Sequence, residues 1–227
     1  MHFVDNLLSG GNNRFLSDFR PFVSRISRFG LFNSLAQVTL KLTSPGVPDL
    51  YQGNELWQFS LVDPDNRHPI DYGLRERLLD DLAAQKVGPG LIRDLMEHID
   101  DGRVKLYITW RLLKLRRRYP RLFLEGRYIP LTVEGPKAEY LCAFARENRG
   151  KYLIVVVPRW FTRLLTDTDY CTDKSVWADT EVEWPQTGSF RNLFTDDVLN
   201  PTKEWVAASD LMRDFPVSVF TLDDEGQ

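Results

Sequence analysis

The residues equipped for chemistry gather in residues 44–72, which read SPGVPDLYQGNELWQFSLVDPDNRHPIDY. Gln52 offers an amide, Glu55 a carboxylate and Trp57 a flat apolar face, and the run Asp63, Pro64, Asp65, Asn66, Arg67 adds acids, an amide and a guanidinium. Sugars call for this mixture, because hydroxyls need donors and acceptors together and ring faces need an aromatic surface to lie on. The apolar run 47–51 leads into the polar stretch. A strand opening into such a loop at its carboxyl end has the layout of a small-ligand site. Read locally, DPDNR is also a polar turn in which Asp and Asn side chains satisfy nearby backbone amides. It lacks the glycine and the distant bidentate Glu of a calcium loop. Glu55 alone makes no hydrolytic pair, since two-carboxylate chemistry needs a partner across the scissile bond. Lys105, in DGRVK, stands either beside this site or as a solvated residue at a helix start.

Helices must carry that loop. Residues 3–8 read as the tail of a helix cut off at Ser9-Gly10-Gly11, and Asn12 or Asn13 caps a second one. In that second helix Phe15, Phe19, Phe22, Val23, Ile26 and Phe29 recur at three- and four-residue spacing, and Gly30 ends it. A third helix holds Phe32, Leu35, Ala36, Val38 and Leu42 and stops at Ser44-Pro45-Gly46. Both apolar faces are expected in the core. Helices over 72–85, 91–99 and 104–118 follow, the last with a basic end, Lys114, Arg116, Arg117 and Arg118, expected to complement its own dipole before Pro120.

From Arg121 the period changes from 3.6 to 2. Residues 128–133, 140–146, 152–158, 182–184, 189–194 and 217–222 read as strands, with Asn148-Arg149-Gly150 as a hairpin turn. Residues 160–179 read as loop or short helix. The expected fold is α+β, a helical region over 1–120 followed by an antiparallel β-sandwich domain over 121–227.

PGVPDLYQGNE resembles the motif around the eighth barrel strand of the alpha-amylase superfamily, with Gly46, Pro48, Gly53 and Glu55 at the motif positions. The continuation ELWQFSLVDPDNRHPIDY is similar to the maltooligosyl trehalose synthases of that superfamily, which turn the reducing-end linkage of a maltooligosaccharide into a trehalose linkage. The resemblance runs on through DGRVKLYITWRLLKLRRRYPRLF, AFAREN and VVVPRW. It implies that 47–51 is the last strand of a (β/α)8 barrel and that Gln52, Glu55, Trp57, Asp65, Asn66, Arg67 and Lys105 bind substrate. It also implies that the Asp nucleophile, the Glu acid/base and the third Asp lie on earlier strands. The chain is then a C-terminal portion of a longer enzyme, inactive alone, with the remainder of the barrel and a maltooligosaccharide as partners and no cofactor. An opening in mid-helix pattern agrees with that, and the orphan strand 47–51 is expected to be covered by helices, paired with another copy, or poorly ordered. A second reading is a stand-alone carbohydrate-binding or interaction module, with Trp160, Trp177, Trp184 or Trp205 as an aromatic platform.

Charge and composition narrow the partners. The 227 residues carry 29 basic and 32 acidic side chains, a net charge of −3, which lacks the concentrated basic face of a nucleic-acid binder. With 3 scattered histidines and 2 cysteines, neither a zinc site nor a disulfide framework is expected. The sequence shows no signal-peptide pattern at its start and no stretch of membrane-spanning apolar length, which makes the cytoplasm the expected location and a membrane partner unexpected.

Overall fold

The computed structural model describes residues 2–8, 14–166 and 170–222. The stop expected at residues 9–11 and the cap expected at Asn12 or Asn13 fall outside them.

The helical half comprises α1 (His2–Leu8), α2 (Arg14–Thr43), α3 (Tyr72–Ala84), α4 (Pro89–Glu97), α5 (Arg103–Arg118) and the short α6 (Pro120–Leu124). The two helices expected to part at Gly30 are one, the 30-residue α2. A mid-helix glycine costs roughly 1 kcal/mol relative to alanine. Phe29 and Phe32 beside it are each 1% exposed, and burying such rings returns roughly 2–3 kcal/mol apiece. The helix therefore runs through, and it stops at the predicted Ser44-Pro45-Gly46. Its two ends differ: Phe29, Phe32, Leu35, Ala36, Val38 and Leu42 are core, as expected, whereas Phe15, Phe19, Phe22, Val23 and Ile26 are exposed. The expectation that this second group packs inside is not met: it lies along the first half of α2, where Phe15, Phe19 and Phe22 meet one another ring to ring in series, and only Phe29 of that stripe reaches the core.

Residues 47–51 form no strand. Val47 is 85% exposed and Tyr51 44% exposed. A strand needs a neighbour to complete its ladder, and the six- and three-stranded sheets of this fold lie further along the chain.

The second half builds β1 (Arg127–Pro130), β2 (Val133–Glu134), β3 (Leu141–Asn148), β4 (Lys151–Pro158), α7 (Phe161–Leu164), α8 (Lys174–Trp177), β5 (Glu181–Glu183), β6 (Phe190–Asn192), β7 (Val198–Leu199), β8 (Trp205–Ala207), α9 (Ala208–Leu211) and β9 (Ser218–Leu222). One sheet has the order β1-β3-β4-β9-β6-β7 and the other β2-β5-β8, with every pairing antiparallel. The β3–β4 register places Asn148 opposite Lys151, so the hairpin turns on Arg149 and Gly150, both at positive φ. Leu153 to Val157 are all buried, which departs from simple alternation, because β4 is covered on both faces and α2 packs on it.

Helices and sheets share one hydrophobic cluster. Tyr107 of α5 donates its hydroxyl to the Phe194 carbonyl at 2.6 Å and touches the rings of Phe194 and Phe215, and burial pushes its phenol up to about 12. Both cysteines are free, Cys171 buried and Cys142 half-buried. Among the described residues no helix is long and apolar enough to cross a membrane. No group of three or more His, Cys, Asp or Glu among them is placed to hold a metal.

Candidate functional site

With no sheet to hold it, the loop from Ser44 to Asp71 is fastened by side chains reaching in from helices. Arg116 of α5 donates to the carbonyls of Leu42 and Gly46, both at 2.9 Å. The basic end of α5 was expected to serve its own dipole, yet Arg116 instead answers the open carbonyls at the end of α2. At the other end of the loop Asp71 caps α3, accepting from the Leu74 amide at 2.8 Å.

One turn into α3, Arg75 organises the first group of predicted residues. Its guanidinium donates to Glu55 Oε2 at 3.0 Å, to the Gly53 carbonyl at 3.1 Å and to the Asp71 carbonyl at 3.0 Å. The pair is partly sheltered, with Arg75 and Glu55 side chains 14% and 29% exposed. Gly53 sits at φ 91°, and a Cβ there would meet Ile70 Cδ1 at 2.8 Å, so glycine is required by both backbone and space. Gln52 accepts from the Tyr72 hydroxyl at 3.2 Å. Neither Arg75 nor Tyr72 was singled out from sequence. The signal was present in an arginine four residues after the helix cap, on the turn facing the loop.

A second group surrounds Trp57. Its indole N–H donates to the Ile99 carbonyl at 2.7 Å, and the Lys105 ammonium lies 5.5 Å from the ring centroid. Lys105 is 9% exposed and donates to the Leu56 carbonyl at 3.3 Å. The solvated alternative for Lys105 is thus replaced by a buried ammonium. Burial, then repulsion from Lys41, lowers its pKa against the opposing pull of Glu55, which couples this group to the first. Gly102 lets the helix start close on the loop, a Cβ there meeting the Trp57 amide nitrogen at 3.0 Å.

The DPDNR run forms a third group and closes largely on itself. Arg67 clasps Asp63 through both nitrogens of its fork, with the Nη2–Oδ2 arm at 2.6 Å. Asp65 accepts from the Leu61 amide at 2.6 Å, which is the polar-turn behaviour expected of an Asp there. The Asn66 side-chain oxygen is buried without a partner. Phe59, Leu61 and Val62 stand 80%, 78% and 84% exposed. Two hollows, of about 530 Å³ against Arg28, Phe32 and Tyr170 and about 250 Å³ against Arg93, Asp197 and Asp214, are lined by other residues. The loop is therefore an open ledge bearing a carboxylate, amides, an indole and a guanidinium. Hydrogen bonding to hydroxyls and stacking under a sugar ring lie within its chemistry, and a hydrolytic carboxylate pair does not.

No family model matches the chain. A Mycobacterium tuberculosis protein named for maltooligosyl trehalose synthase is 33% identical over 207 residues, 91% of this chain and 23% of that protein. The structure of maltooligosyltrehalose synthase from Arthrobacter ramosus superposes with a TM-score of 0.72 at 31% identity, over 92% of this chain and 24% of the other. An alpha-amylase from Geobacillus thermoleovorans, 15% identical with a TM-score of 0.50 over 86% of this chain and 34% of its own, shares the fold alone. The chain spans about a quarter of the length of the synthases it matches. What this chain is similar to, over nine-tenths of its length, is a stretch of maltooligosyl trehalose synthase amounting to about a quarter of that enzyme.

Proposed function

We propose that the chain is the C-terminal portion of an enzyme that converts maltooligosaccharides to maltooligosyl trehalose by intramolecular transglucosylation, an isomerase of the cytoplasm. The observation that carries the reading is the 33% identity over 91% of the chain to proteins of that name. In this reading residues 1–120 are the end of a catalytic barrel with a helical insert and 121–227 a β domain.

The reaction is a retaining one. An Asp in the remainder of the barrel attacks the glycosidic carbon while a Glu there protonates the departing terminal glucose; after the glucose turns in the pocket, its anomeric hydroxyl gives its proton to that Glu and its oxygen displaces the Asp from the same carbon. The task left to this chain is to hold that glucose and exclude water. Trp57, pinned by its bond to Ile99, supplies a ring face, while Gln52, Glu55, Asp65, Asn66 and Arg67 supply hydroxyl partners. Arg75 keeps Glu55 and the Gly53 carbonyl in register. The exposed Phe59, Leu61 and Val62 are the surface that the remainder of the barrel covers.

The test is kinetic, in the longer protein bearing this sequence. Trp57→Ala and Arg67→Ala are expected to raise KM for maltopentaose and to increase free glucose at the expense of the trehalose product. Variants with an unchanged product ratio and unchanged KM would remove these residues from the site.

A further inference from the structure

A hollow of about 330 Å³ lies at one end of the three-stranded sheet, and no residue of loop 52–67 lines it. It is formed where the chain leaves β5 and where it enters β8, and its walls include Trp184, Gln186, Thr187, Lys203, Glu204 and Trp205. The two walls are joined rigidly. Glu183 pairs with Trp205 in the β5–β8 ladder, and the Trp184 amide donates to the Glu204 carbonyl at 2.6 Å.

Trp184 is the unusual member. It is 3% exposed, and its ring is fixed edge-on against Phe190 and Phe220 at centroid distances of 5.2 and 5.5 Å. Its indole Nε1 is buried with no hydrogen-bond partner. By contrast, Trp57 and the fully buried Trp177 each place that nitrogen on a carbonyl, of Ile99 and Cys171, at 2.7 Å. An unanswered buried donor is costly, and folded proteins rarely keep one without a use. Trp205 is half-buried and brings a second indole to the same hollow.

The remaining groups fix the kind of ligand. Lys203 offsets Glu204, and the remaining charge in the walls is the Glu183 carboxylate, which already accepts from the Thr132 amide at 3.0 Å, so the hollow has no surplus cation for an anion and offers acceptors for hydroxyls. Donors and acceptors are mixed, and indoles supply the apolar surface. The volume lies at the small end of ligand sites, room for one or two rings.

We infer that this hollow between residues 183–187 and 203–205 binds a glucosyl unit of an α-glucan, with Trp205 as its stacking face and the Trp184 N–H, sealed behind the wall in this structure, as a donor uncovered by a small shift of that wall when the ligand enters. The choice of an α-glucan among neutral hydroxylated ligands rests on the function proposed above. The site itself rests on the geometry. It serves to hold a distant part of a long chain and adds affinity without taking part in the reaction.

The test is a titration of the isotope-labelled chain with maltopentaose, followed by amide and indole resonances. Saturable shifts are expected at the Trp184 and Trp205 indoles and at residues 186, 187, 203 and 204. Trp205→Ala is expected to weaken binding about tenfold, and Trp184→Phe, which keeps a ring and deletes the donor, roughly two- to tenfold. Gln186→Ala, at an exposed position, checks the same site without disturbing the core. Absence of saturable shifts at these residues, or equal affinity in the Trp205 and Gln186 variants, overturns the inference. Shifts confined to 52–67 overturn it while supporting the proposed function. Shifts at 184–205 with none at 52–67 support it and count against the loop. Equal binding of cellopentaose would overturn the α-glucan assignment.

Discussion

Replacing Arg146 with methionine should cost about 2–4 kcal/mol of stability, far more than its position at the end of a strand suggests. Arg146 is 1% exposed, and its guanidinium donates to four carbonyls: Gly126 at 2.8 Å, Phe123 at 3.1 Å, Thr43 at 3.3 Å and Arg127 at 3.4 Å. Thr43 ends α2 and Phe123 lies in the last turn of α6, so the cation sits where two helix dipoles present their negative ends. Two well-made charge-assisted bonds contribute roughly 3–6 kcal/mol, and the two longer ones little. Against this stands desolvation, which lowers the Arg146 pKa together with repulsion from Arg116. Methionine keeps most of the stem packing and leaves the carbonyls of α2, α6 and β1 unanswered. With a urea slope of roughly 2–3 kcal/mol/M the unfolding midpoint should fall by on the order of 1 M. Arg146→Lys should rescue little, since one ammonium cannot span four carbonyls. A loss below about 1 kcal/mol, or full rescue by lysine, would refute the view that this guanidinium ties the helices to the sheet.

Lys105 gives a pH signature. Burial holds its folded pKa below the unfolded value of about 10.4, so the folded chain releases this proton first. Between the two values the unfolded chain binds more protons and stability rises with pH. Lys105→Met should abolish that rise, read as urea midpoints across the alkaline range, and identical slopes in both proteins would contradict it. Arg149 occupies the left-handed region at φ 53°, so Arg149→Asn should raise the melting temperature by the equivalent of about 0.5–1 kcal/mol. Gly150→Ala should lower it by about 1 kcal/mol although the space there is open, because φ is 82°. Arg75→Ala should speed amide exchange at 53–55 while leaving β3 and β4 protected, and unchanged exchange would show that the loop does not hang on that fork.

The helices over 72–84, 89–97 and 103–118 and the central β3–β4 hairpin were legible because periodicity and turn chemistry act locally. Gly30 misled because a propensity cost of about 1 kcal/mol is small beside the burial of Phe29 and Phe32. The short strands β7 and β8 carry too few residues to show a period. In the candidate site, the residue types of 52–67 were visible, but their separation into three groups was not. The first two are held by Arg75 and Lys105, whose partners lie 20 and 49 residues away in the chain, and the third closes on itself through Arg67 and Asp63. The exposure of Phe15, Phe19 and Phe22 was equally hidden, because a pattern shows which residues share a face and not what lies against it.

The measurement that bears most directly on the central claim is the loss of reducing ends from maltopentaose, for the 227-residue chain alone and for the longer protein carrying it. The account predicts conversion by the longer protein and none by this chain, whose open loop is proposed to hold sugar and pairs no two carboxylates across a bond. Conversion by the 227-residue chain itself would contradict it, since the attacking carboxylate would then have to lie within these residues.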